Sequence, residues 1–276
     1  MSTAWQPAEP DVSTVRSQLS DPLRALANAE IPAIVLRGAY NPEHCAGLLR
    51  RFQGWGLIHD GLAFNSADKR TRIDIGTSLG NRGHDKEAFL SHAPYTHDLF
   101  PKLFADFDDP VKTMYDALAA LANDKVVTTA YEPDGRRYGP AIFRVHYETH
   151  SYIPHIDSVR LREKRTNYAV YRFEHQFAGI LCLQNARQGE HSAQTIIHRC
   201  LWTPEIQPHL AERTFHQYAE ENVIEQVQIA LSPGDLYFFN TCCVHEIPPL
   251  DGDDPRAVLA TFIGYSPDDR EIFVWA

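Results

Sequence analysis

The sequence is poor in the features that mark secreted, membrane-spanning or nucleic-acid-binding chains. Its 276 residues hold five cysteines, Cys45, Cys182, Cys200, Cys242 and Cys243. They are too few and too unevenly spread for a disulfide framework, and no Cys-x-x-Cys pair suggests structural zinc. No run of about 18 apolar residues offers a membrane span. The opening segment MSTAWQPAEPDVSTV lacks the basic start and apolar centre of a signal peptide, so a cytoplasmic protein is expected. Basic tracts are missing too: 26 Lys and Arg stand against 36 Asp and Glu, a net charge of -10. Binding along phosphates needs Lys and Arg, so no nucleic-acid partner is expected and a small-molecule substrate is.

A chain of this length buries about three quarters of its unfolded surface and needs no metal merely to fold, which makes any metal here a functional one. Residues 1–18 are polar with two prolines and read as a loose arm. Residues 19–124 carry helical patterns. SDPLRALANAE has proline in its first turn, NPEHCAGLLRRFQGWG has Asn41 as cap and Pro42 at its first position, and HDLFPKLFADFDDPVKTMYDALAALAND breaks into two helices at Asp109-Pro110. Between about 57 and 95 the sequence is mixed and rich in turn residues, as suits a cover over a site.

After Lys125 short β-rich runs follow one another, among them AIFRVHY, FAGILCLQN, DLYFFN and VLATFIGY, with one helical insertion at about 203–222. The expected architecture is mainly β with flanking helices. A single catalytic unit spans 1–276, with an α-rich N-terminal buttress and cover (19–124) against a jelly-roll, or double-stranded β-helix, core (125–276).

Fourteen histidines set among 36 acidic residues give roughly two His-x-Asp/Glu matches by chance, and two occur, His146-x-Glu148 and His155-x-Asp157. Context separates them. On a strand, residues i and i+2 share a face, so His155 and Asp157 reach one ion from one side. A third ligand comes from LSPGDLYFFNTCCVHEI, where a turn and an apolar strand lead to His245 at the start of a second extended run. Eleven residues on, Arg256 heads RAVLATFIGY, and alternation puts it on one face with Val258, Ala260 and Phe262. A guanidinium at the head of an apolar row needs an anion.

This order, His-x-Asp, a long gap, His, then Arg, with PGD before the strand leading to the distal His, resembles the iron(II)/2-oxoglutarate-dependent dioxygenase superfamily over roughly residues 140–265. The resemblance implies that His155, Asp157 and His245 bind Fe(II) as a facial triad. It also implies that Arg256 grips the distal carboxylate of 2-oxoglutarate through two parallel bonds. Dioxygen is then the co-substrate, succinate and carbon dioxide are co-products, and hydroxylation of an unactivated C–H bond is the usual outcome. A free amino acid or natural-product intermediate is the leading substrate class. Related radical halogenases put Gly or Ala where the carboxylate stands, opening a metal position for chloride, so Asp157 argues against halogenation.

Many members carry Ser or Thr two residues after the arginine, where this chain has Val258. His146 falls on the run that the family places against cofactor or substrate. Arg72, Arg144 and Tyr152 are further substrate candidates, and Arg70 is a weaker one beside Arg72. A cupin-like metal enzyme without 2-oxoglutarate and a non-catalytic ligand-binding β-sandwich are the alternatives.

Overall fold

The computed structural model describes residues 4–58, 71–147, 149–186, 193–250 and 254–276. Eight helices are α1 (Val12–Gln18), α2 (Pro22–Ala27), α3 (Pro42–Gly54), α4 (Leu79–Arg82), α5 (Lys86–Leu103), α6 (Pro110–Leu121), α7 (Gln207–Ala211) and α8 (Phe215–Glu221) among those residues. The strands are β1 (Ala33–Leu36), β2 (Arg72–Gly76), β3 (Val126–Thr129), β4 (Ile142–His146), β5 (Tyr152–His155) and β6 (His175–Gln184) in the first half. They continue with β7 (Ile196–Leu201), β8 (Gln226–Gln228), β9 (Leu236–Asn240), β10 (Cys243–Ile247), β11 (Arg256–Tyr265) and β12 (Glu271–Trp275).

Two mainly antiparallel sheets face each other, as a jelly roll requires. The major sheet runs β1-β9-β6-β11-β12-β3, with β4 joining the other half of β11 and β2 pairing outside β4; the minor sheet runs β5-β10-β7-β8. Strand alternation assigns the faces. Along β11, Ala257, Leu259 and Ile263 pack into the cluster that also holds helix residues Leu26, Leu48, Phe52, Leu103 and Leu118, while Arg256, Val258, Ala260 and Phe262 line a cavity between the sheets. A fully buried Leu or Phe in such a cluster contributes about 1.5–3 kcal/mol. The helical half thus covers the outer face of the major sheet, and the inner face is left for the site.

The capping residues read from sequence cap the helices. The Asn41 side chain accepts from Glu43 N at the start of α3, and Asp109 accepts from Val111 N and Lys112 N at the start of α6. At the Ser232–Asp235 turn, Gly234 holds φ +94°, and a Cβ there would lie 2.3 Å from the Tyr40 carbonyl oxygen. That contact fastens the entry of β9, the strand leading to His245, to the entry of α3.

Two expectations need correction. Residues 4–18 are not a loose arm. Trp5 is buried and donates to the Ala29 carbonyl at 3.0 Å, Ala8 bridges to Ile34, and α1 is capped by Asp11 with Val15 fully buried. The few apolar residues of this segment are spaced to dock on the core, which its average polarity hides. Within the expected cover, residues 72–76 form β2, integral to the major sheet. Ile73 and Ile75 point to the core, a period-two pattern too short to stand out between charged neighbours. Residues 59–70, with Arg70, lie outside the described residues, as does Glu148 of the rival His146-x-Glu148 pair. No helix among the described residues is long and apolar enough to cross a membrane.

Candidate functional site

The antiparallel pairing of β5 with β10 sets His155 directly opposite His245, their ring centroids 4.3 Å apart. Two residues past His155, the Asp157 backbone is held by Thr241, whose carbonyl accepts from Asp157 N at 3.0 Å and whose hydroxyl donates to Asp157 O at 2.7 Å. The Asp157 carboxylate is thereby aimed at both imidazoles, with Oδ2 3.7 Å from His155 Nε2 and 3.7 Å from His245 Nε2.

The tautomers are fixed from behind. His155 Nδ1 lies 2.7 Å from the Ile153 carbonyl and His245 Nδ1 2.9 Å from that of Cys243, so each ring donates from Nδ1 and leaves Nε2 bare. Three lone-pair donors then converge with no hydrogen between them. Asp157 Oδ2 stands 3.7 Å from each imidazole nitrogen, beyond hydrogen-bond range, and the three ligand atoms lie within 4.8 Å of one another, close enough to share one cation once they draw together. The donor set of two imidazoles and one carboxylate fits Fe(II) with positions left open. The second carboxylate oxygen, Oδ1, accepts from Arg162 Nη1 at 3.1 Å.

A cavity opens beside these groups between the two sheets. Ile142, Ala178, Ile180, Val258, Ala260 and Phe262 contribute apolar wall. Arg256 lies deep within it, 4% exposed, and no carboxylate among the described residues pairs with it. Its partner is His146, directly across the β4–β11 pairing, with Arg256 Nη1 3.2 Å from His146 Nδ1. Burial first, and the Arg256 charge second, hold the His146 imidazole well below its ordinary range. It is neutral, Nδ1 accepts from the guanidinium, and the ring proton sits on Nε2, which is buried with no partner among the described residues. A free cation and a free donor are therefore juxtaposed.

Nearer the mouth, Arg72 Nη1 donates to the Tyr152 hydroxyl at 2.8 Å and Nη2 to Asp74 at 3.0 Å. Arg144 lines both the inner cavity and the groove outside it. Of the candidates named from sequence, all but Arg70, which lies outside the described residues, border one or the other. Sequence reasoning missed Thr195 and Tyr237, whose hydroxyls lie 2.7 Å apart in the cavity wall. Alternation along DLYFF, which puts Tyr237 with Phe239, was the available signal. It also missed Arg162, and a second His–carboxylate group made of His198, His216 and Glu246.

A family model described as carrier-protein-independent halogenase WelO5 matches residues 9–276. No curated protein matches the chain. Among solved structures, the chain is similar to an N-substituted L-amino acid dioxygenase from Burkholderia ambifaria AMMD in complex with alpha-KG. Identity is 17% over 92% of this chain and 90% of that one, with a TM-score of 0.57. The non-heme alpha ketoglutarate dependent epimerase SnoN from nogalamycin biosynthesis is 13% identical over 90% of this chain and 86% of its own, with a TM-score of 0.47.

Proposed function

The chain belongs to the carrier-protein-independent halogenase family of WelO5, and through it to the iron(II)/2-oxoglutarate-dependent oxygenases, and from that premise we propose that it inserts oxygen rather than halide into a C–H bond of a small polar molecule in the cytoplasm. Its cofactors are Fe(II) and 2-oxoglutarate. When bound, they supply the oxidant that removes a hydrogen atom from the substrate. Substrate, dioxygen and 2-oxoglutarate become hydroxylated product, succinate and carbon dioxide.

In this reading His155, Asp157 and His245 hold the metal. Arg256 pairs with the distal carboxylate of 2-oxoglutarate, the His146 Nε2–H and the Thr195 and Tyr237 hydroxyls adding donors that Val258 cannot. Arg72, Arg144 and Tyr152 face the substrate. The apolar wall keeps water from the reacting carbon.

The observation that carries the reading is Asp157. Its Oδ2 stands 3.7 Å from both imidazole nitrogens, where a halogenase has no carboxylate, and with Arg162 on Oδ1 it would offer the metal one oxygen. The family's description favours the other outcome, halogenation, and one experiment separates them. Protein loaded with Fe(II) and 2-oxoglutarate is given isotopically heavy dioxygen, excess chloride and candidate amino-acid derivatives. The expected product is heavier by one oxygen atom that came from dioxygen, formed with stoichiometric succinate. A chlorinated product overturns the assignment.

A further inference from the structure

We infer that the substrate is a carboxylic acid with a largely apolar body, and that Arg144 is the group that takes its carboxylate. This rests on the oxygenase reading above and narrows it to a charge class.

The charges of the pocket pair off one by one until Arg144 remains. Arg72 is bonded to Asp74, Arg162 to Asp157 and Arg165 to Glu163. Arg256 is committed to the cofactor. Arg144 has neither a hydrogen bond nor an ion pair among the described residues, and its Nε is buried without a partner. Strand register makes this isolation informative. Arg144 lies directly opposite Asp74 in the β2–β4 pairing, yet the Asp74 carboxylate turns to Arg72 and Asn81. A half-buried guanidinium with its Nε out of reach of water and no anion among the described residues is costly unless a ligand supplies one.

Position says which ligand. Arg144 stands where the inner cavity opens to the outer groove, in the wall of both, with Tyr152, His155, Asp157 and Phe262 bordering the same two spaces. On its own strand the inward neighbours are Ile142 and His146, and Val258 lies across from it on β11. An acid anchored here lays its chain along apolar wall next to the metal ligands. Arg144 is then the cation of the inner cavity left without a counter-charge among the described residues, and a carboxylate on the substrate supplies one.

The test uses the full chain loaded anaerobically with Fe(II) and 2-oxoglutarate, whose visible charge-transfer band shifts when substrate displaces metal-bound water. The probes are N-acetyl-L-leucine, 4-methylpentanoate and their amides, with Arg144→Gln and Arg144→Lys beside the parent protein. Both acids are expected to bind at least tenfold more tightly than the amides. Arg144→Gln is expected to weaken the acids by about 10- to 100-fold, the worth of a charged hydrogen bond, with 2-oxoglutarate affinity within twofold. Arg144→Lys restores part of the loss.

If neither acid outbinds its amide, or if Arg144→Gln weakens 2-oxoglutarate tenfold, the assignment falls, and in the second case Arg144 belongs to the cofactor's proximal carboxylate. A band that never forms removes the oxygenase reading itself. An intact band without acid preference removes only the charge class.

Discussion

Strand β10 carries two clusters of the same composition on its two faces. His245 points inward to His155 and Asp157, while Glu246, the next residue, points outward to His198 on β7 and His216 on α8. Both are two histidines and a carboxylate with ligand atoms within 4.8 Å of one another. They differ in where the hydrogens are. In the outer cluster Glu246 lies 3.0 Å from His198 Nε2 and 2.9 and 3.1 Å from His216 Nε2, separations that N–H···O bonds close unaided. His198 Nδ1 is buried with no acceptor, so its proton belongs on Nε2, facing Glu246. Inside, backbone carbonyls take the Nδ1 protons and the bare nitrogens stand off at 3.7 Å. The outer group is a clamp holding the helical insertion to the sheet. The inner one is a donor set that fits a cation. Residue type does not distinguish them; the second hydrogen bond of each imidazole does.

The sharpest way to break this contrast is to delete one ligand from each face. His155→Ala or Asp157→Ala is expected to lower Fe(II) affinity by more than about 100-fold, beyond the range for losing a supporting hydrogen bond. Succinate formation should go with it. His216→Ala should leave one metal per chain and near-normal turnover, checked by metal content after dialysis. A loss of metal in His216→Ala would make the outer group a second centre.

A smaller effect separates the faces by pH. On the cavity side, His150 stacks on His146 with ring centroids 4.3 Å apart, and burial and the nearby arginines lower it from its ordinary 6.5 to about 4; His146 is lowered as well. The unfolded chain takes up these protons first as pH falls. Their contribution to stability is therefore complete above about pH 6.5 and declines below it. Outside, burial opposes ionisation of Glu246, but the bonds from His198 and His216 outweigh it and hold its carboxyl below the ordinary 4.5. That contribution is lost only as pH falls through 4.5 and below. Urea unfolding of the metal-free protein across this range should show His150→Gln flattening the upper part of the curve and Glu246→Gln the lower part. A common effect of both variants over the whole range would contradict the assignment.

The smallest expected change is in stability at neutral pH. The His216 side chain is 65% exposed, so His216→Ala should cost about 1 kcal/mol or less by denaturant midpoint. His198→Ala, which removes a buried ring, should cost more, about 2–3 kcal/mol.

The inner cluster was legible in the sequence because period-two geometry is rigid. His155 and Asp157 must share a face wherever the segment is extended, and Arg256 must head the row of Val258, Ala260 and Phe262. The outer cluster was not legible, because His198, His216 and Glu246 come from two strands and an inserted helix with no spacing to relate them. Arg162 was equally hidden, since it returns to Asp157 through a turn rather than along a strand. The helical half was readable from its caps, Asn41 and Asp109. Strand β2 and the docking of Trp5 were not, since each depends on a partner surface made elsewhere in the chain.

Asp157 also bears on descent within the family. Aspartate and glycine codons differ by a single base, so the substitution that would remove this proposed metal ligand is among the shortest steps available to a gene. Because Arg162 approaches Asp157 through Oδ1, away from the imidazoles, the loss of the carboxylate would leave a guanidinium beside the empty place, a counter-charge for an incoming anion. On the proposed assignment, that base change is one step between oxygenating and halogenating chemistry, and tight iron binding without the carboxylate must be recovered elsewhere in the site.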